Sequence, residues 1–231
     1  MLPIRDDAPR FATPWVTYLL MTLNLLAFLF EMALPADARN AFISQFGLVP
    51  ANITRLLSSH ETAPDVTLLP LITSMFLHAS WLHLIFNMWA LWIFGDNIED
   101  YLGHFRYLLL YLLAGVAASG LHFLLNLGSP VPSVGASGAI AGVMGAYLVL
   151  YPSARVLTMV PFPVYLPAWL VLGYWFVVQF MGGAATAIAY SSQTTGGVAF
   201  WAHVGGFLAG IFLIKLFPTR PRRYRFRTWY G

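Results

Sequence analysis

The chain has no cysteine and, after Asp100, no acidic residue at all. The first absence removes disulfides, thiolate nucleophiles and cysteine zinc sites together. The second leaves residues 101–231 without a carboxylate, so serine chemistry seated there would have no acid from that half of the chain. The remaining carboxylates near the ends of apolar segments are Glu31, Asp96, Glu99 and Asp100. None is offered at the membrane-embedded positions that an intramembrane aspartyl protease needs. His-Glu-x-x-His is also missing, which excludes a zinc protease of that type. Charge is scarce throughout: 9% of residues are charged, against about 25% in a soluble chain.

What is present is apolar. The chain is 59% hydrophobic with a mean hydropathy of +0.71, the composition of a polytopic membrane protein. Six apolar runs are long enough to cross about 30 Å of hydrocarbon, roughly at 14–34, 71–95, 105–126, 136–152, 163–183 and 197–217. The expected fold is therefore all-α, a polytopic bundle of six transmembrane helices at 14–217. A short N-terminal segment, 1–13, precedes it and a basic tail, 218–231, follows. His78 and His83 interrupt the second run, so its first part reads as a loop leading into the helix. The first run starts too late, and is too well flanked by further spans, to be a cleaved signal peptide.

Six of the twelve Lys and Arg lie in 215–227, which places that tail in the cytoplasm by the positive-inside rule. Six spans put the N-terminus on the same side, with Arg5 and Arg10. Arg106 and Arg155 fall in short inner loops, and only Arg39 and Arg55 lie outside. The tail is then an orientation signal that also touches anionic lipid, in preference to a nucleic-acid arm.

Two short segments carry the chemistry. In Pro132-Ser133-Val134-Gly135-Ala136-Ser137-Gly138, proline and glycine predict a turn that leaves Ser137 in the first turn of the next helix. Backbone N–H groups there are unpaired and the dipole is positive, which favours a developing oxyanion. Ser137, Ala141 and Gly145 fall on one face, all small enough for a close helix approach. In Ala202-His203-Val204-Gly205-Gly206, His203 shares a face with Gly206 and Gly210, a small-xxx-small pair. A serine side chain is short, so a Ser–His bond between helices needs backbones closer than leucine packing permits. The alternative is that both polar groups serve packing or bond a backbone carbonyl. Both sit near the outer ends of their spans, at matching depth.

A third cluster, His78 to Asn87, puts His83 and Asn87 four residues apart on one helix face. Their side chains carry donors that could face a tetrahedral oxyanion. A metal site on His78 and His83 competes weakly, because their spacing of five fits one helical face poorly. His104 and His60 fall in loops and read as solvated bystanders; His122, late in the third span, has no assignment.

Four motifs in order resemble those of the rhomboid intramembrane serine proteases in their six-helix bacterial form, over about 73–210. They are His78-Ala79 with His83 and Asn87; Gly95, Glu99 and Gly103; Gly135 to Gly138; and Ala202, His203, Gly206 and Gly210. The resemblance implies a rhomboid-like fold and a Ser–His dyad without an acid, with Ser137 as nucleophile and His203 as general base. It implies an oxyanion hole of His83, Asn87 and the Ser137 N–H. Gly206 and Gly210 would be packing residues, with Gly95, Gly103, Gly135 and Gly138 completing the structural motifs. Glu99 would tie down the cytoplasmic end of the second helix. It further implies substrates that are single-pass membrane proteins cut near the outer face, and a multi-pass location in the bacterial plasma membrane. No cofactor, metal or nucleic acid is implied.

Two positions depart from the family pattern. Ala141 stands where relatives often carry a tyrosine stacked on the histidine, and no Trp-Arg pair occurs between 35 and 70. The uncharged segment 184–197 suits a lid over a water cavity, with the fifth helix as substrate gate; an ordinary connector is the alternative. Two other classes remain. A catalytically inactive rhomboid-like escort would usually lack the serine or the histidine. A small transporter would need polar groups along its helix cores, and these are almost absent.

Overall fold

The computed structural model describes residues 1–59, 68–189 and 199–217. His60, most of the expected lid (190–197) and the tail 218–231 lie outside the described residues. In chain order the elements are β1 (Leu2–Asp6), α1 (Trp15–Ala33), α2 (Ala36–Phe46), α3 (Pro50–Ser59) and α4 (Pro70–Thr73), with a 3-10 turn at Ser74–Phe76. Then follow α5 (Trp81–Leu102), α6 (His104–Leu124), α7 (Ser137–Leu150), β2 (Arg155–Val160), β3 (Phe162–Pro167), α8 (Ala168–Ala189) and α9 (Phe200–Leu216). The protein is a helical membrane bundle, with its apolar helices in the order expected from the six runs.

The helices differ in how they meet the bilayer. Among the described residues α1, α6 and α8 are long and apolar enough to cross it. A fourth span is broken: Pro70–Phe76 and α5 meet at 95°. Ser80 makes that corner, because its extended backbone ends the approach and its Oγ accepts the His83 N–H at 3.2 Å, capping α5. α7 has 14 residues and α9 has 17. At 1.5 Å per residue, α7 covers about 21 Å of roughly 30 Å. The stretch before it is irregular. Its backbone is paired: Leu48 and Ser133 exchange hydrogen bonds of 2.9 and 2.8 Å, and the Gly135 N–H donates to the Ser74 carbonyl at 2.8 Å. Irregular backbone survives at membrane depth only with such partners.

The core lies between α5, α6 and α7, around Phe94, Ile98, Tyr107, Leu110, Tyr111 and Tyr147, all fully buried. α9 packs backbone to backbone against α7, with Gly206 on the carbonyl of Gly138 and Gly210 on that of Gly142. The small stripe of α7 that meets α9 is thus Gly138, Gly142 and Gly145. It is displaced from the Ser137, Ala141 and Gly145 face that spacing alone picks out.

A small sheet adds to the helices. β1, β2 and β3 form an antiparallel sheet in that order. Residues 155–167 carry Pro161, Pro163 and Pro167, which cannot continue a helix. α8 therefore begins at Ala168, five residues later than the expected run. Arg155 lies in β2 and bonds Asp7 through its backbone N–H (2.7 Å) and its Nε (2.8 Å).

The C-terminal end of α5 gathers the N-terminal segment. Asp96 accepts from Arg10 at 3.0 Å, and Asp100 accepts the Ala12 N–H at 2.8 Å. Glu99 accepts the N–H groups of Val16 and Thr17 at 2.8 Å and the Thr17 hydroxyl at 2.7 Å. These are first-turn donors of α1 that the helix itself cannot satisfy.

Candidate active site

Ser137 is the first residue of α7, and His203 lies in the first turn of α9. Glycine is required just before the serine: Gly135 has φ +130, and a Cβ there would meet the His83 ring at 2.7 Å. The glycine packing between α7 and α9 lets the two side chains touch. Ser137 Oγ lies 2.8 Å from His203 Nε2. On the other side of the ring, His203 Nδ1 donates to Oε1 of Gln179 in α8 at 2.7 Å. An amide oxygen only accepts, so the ring proton sits on Nδ1 and the Nε2 lone pair faces the serine. The Trp175 ring leans over the imidazole, with centroids 5.7 Å apart and planes at 38°.

His83 and Asn87 occupy successive turns on one face of α5. His83 covers Gly135 beside Ser137. Asn87 is buried, and its Nδ2 donates to His78 Nε2 at 2.9 Å. His78 is itself held by its backbone N–H to Glu31 Oε1 at 3.2 Å and by the edge of Phe28. The rings of His78 and His83 are 5.0 Å apart. Among the described residues no three His, Cys, Asp or Glu side chains stand together as a metal group. A cavity of about 20 Å³ beside Ser137, lined by Ser74, Ser119, Ser133 and Gly138, has room for one water.

The remaining motif residues sit away from the serine. Gly95 packs under the Tyr107 hydroxyl, and Gly103, at φ +78, turns the chain from α5 into α6. His104 is exposed, but it lies in a helix and has a partner: it opens α6 and places Nδ1 2.6 Å from Glu99 Oε1. Reading a loop there missed how tightly Gly103 joins the two helices. Gln179 and Trp175 were also missed. Their only signal was an amide and an indole four residues apart in an otherwise apolar span.

Fold and site define a polytopic helical membrane protein with a serine and a histidine hydrogen-bonded between two helices. The chain belongs to the rhomboid family: the model of the Rhomboid domain matches residues 66–220. It is similar to Rhomboid protein 1, mitochondrial, of Saccharomyces cerevisiae, at 35% identity over 61% of this chain and 39% of that protein. The Presenilin-associated rhomboid-like protein, mitochondrial, of Bos taurus is 30% identical over 77% of this chain and 46% of its own length. Rhomboid protease GluP of Bacillus subtilis is 36% identical over 62% of this chain and 26% of its own. The chain thus spans less than half the length of these relatives.

Proposed function

We propose that this protein is an intramembrane serine endopeptidase that hydrolyses peptide bonds in or next to the transmembrane helices of single-pass membrane proteins. The observation that carries this reading is the 2.8 Å contact between Ser137 Oγ and His203 Nε2. His203 takes the serine proton as Oγ attacks the scissile carbonyl, and returns it to the leaving amine. The oxyanion is met by the Ser137 N–H, an unpaired donor at the start of α7, and by His83 and Asn87. Asn87 Nδ2 has two protons and commits one to His78. Water then attacks the acyl-enzyme, with His203 again as base.

A substrate helix enters laterally beside α8, the apolar span that adjoins the Ser137–His203 pair; the apolar groove of about 260 Å³ along that helix is lined by Met1 and Pro3 as well as by Phe94, Met144, Val171 and Trp175. Ten basic residues against two support cytoplasmic termini, with segments 1–13 and 218–231 on that face; a bacterial plasma membrane has the support of the Bacillus subtilis relative, while the yeast and bovine relatives are mitochondrial by name. Reporter fusions at each terminus test that orientation.

The activity is tested with a fluorophosphonate probe on the reconstituted protein. The wild type should label, Ser137→Ala should not, and His203→Ala should label far more slowly. Labelling that survives Ser137→Ala refutes the nucleophile; undiminished labelling of His203→Ala refutes the base.

A further inference from the structure

We infer that Gln179 is a positioning residue for the base: its side-chain oxygen holds the His203 ring in the Nδ1–H tautomer, so that the array is Ser137–His203–Gln179 and not a bare pair. The inference rests on the proposed Ser137–His203 chemistry and adds a third member to it.

Four observations converge on Gln179. The two ring nitrogens of His203 are bonded on opposite sides, Nδ1 to Gln179 Oε1 at 2.7 Å and Nε2 to Ser137 Oγ at 2.8 Å. Gln179 is 9% exposed, and a buried amide costs free energy unless it is hydrogen-bonded; His203 supplies that bond. Trp175, one turn earlier on α8, packs against the same ring with its plane tilted by 38°, so residues four apart on one helix both adjoin the imidazole. Finally, Ala141 offers no side chain to do this from α7, and α6 to α9 contain no carboxylate. The titratable groups of α5 and α6 that act electrostatically on His203 are His83 and His122.

The chemistry suits the location. A base needs its lone pair on the nitrogen that faces the nucleophile, and a partner on the other nitrogen selects that tautomer. A carboxylate would do so at the cost of a buried charge in hydrocarbon. An amide oxygen does so while staying neutral. It also takes no proton, so the charge formed in the acyl-transfer step stays on the imidazole.

The test compares Gln179→Met, which keeps the length but has no acceptor, with Gln179→Glu, which keeps an acceptor. Both are measured beside Ser137→Ala, by cleavage of a single-pass membrane substrate in proteoliposomes. Gln179→Met should lose kcat on the order of 10–100-fold, part of what a positioned base contributes, while KM changes by less than about twofold. Gln179→Glu should retain most of kcat and move the acidic limb of the rate profile to higher pH, because a carboxylate stabilises the imidazolium. Wild-type kcat in Gln179→Met overturns the inference, as does an equal loss in both variants, which is what packing alone would produce. Should Gln179→Met fail to fold, the acidic limb of Gln179→Glu decides, and no displacement overturns the inference. Cleavage by Ser137→Ala would instead overturn the underlying protease reading, so the two failures are distinct.

Discussion

Gly206 rests on the carbonyl oxygen of Gly138, with no space for a Cβ between them. This contact sets the separation of α9 from α7, and with it the 2.8 Å reach from His203 to Ser137. Both ends of the relationship are backbone, so neither can move aside as a flexible side chain could.

Gly206→Ala should therefore force the helices apart and cost about 1–3 kcal/mol of stability, as overpacking does. Fluorophosphonate labelling of the folded fraction should fall with it. Gly103→Ala is the contrasting case: the space around it is open, but its φ is +78. It should cost about 1–2 kcal/mol through backbone strain and leave labelling of the folded protein unchanged.

Glu99→Gln replaces an acceptor facing the Val16 and Thr17 N–H groups with an amide that also donates. Losing a satisfied charged acceptor for buried donors should cost about 1–3 kcal/mol, read as a lower unfolding temperature in detergent. His104→Ala removes a partner whose side chain is 53% exposed, and should cost no more than about 1 kcal/mol.

Asn87→Ala should lower kcat on the order of 10²–10³-fold, the scale for one oxyanion donor, with little change in KM. His78→Ala should lower it less, because His78 acts only by holding the Asn87 amide.

Asp6 predicts a pH effect at the sheet. Burial holds its carboxyl above the ordinary value of 3.8, although a hydrogen bond from Tyr147 works against the rise. A raised carboxyl in the folded protein means that folding retains a proton, so its contribution to stability is greatest below the ordinary value. That contribution is lost as pH rises through the raised one. Melting temperatures of wild type and Asp6→Asn across this range should show the wild type losing ground to the variant as pH increases.

Much of the bundle could be read along the chain. Long apolar runs report spans because hydrocarbon leaves the backbone no other partner, and all six are matched by apolar helices. The sheet was not legible: Leu2–Asp6 is too short to show a period, and the alternation in 155–160 hides beside an apolar run. β2 and β3 are neighbours in the chain, but β1 and β2 are about 150 residues apart, and only folding joins Arg155 to Asp7.

That Ser137 and His203 sit in apolar spans, with Gly206 and Gly210 on the His203 face, was determined by the sequence itself. A polar group in a lipid span is costly, and small residues at three and four positions away mark a face built for close approach. Which side chain meets the second nitrogen of His203 was decided by tertiary structure alone. Periodicity assigns a residue to a face of its own helix but leaves open the rotation and depth of that helix against its neighbours. The seat of α8 on α9 sets both, and brings Gln179 within 2.7 Å of the ring.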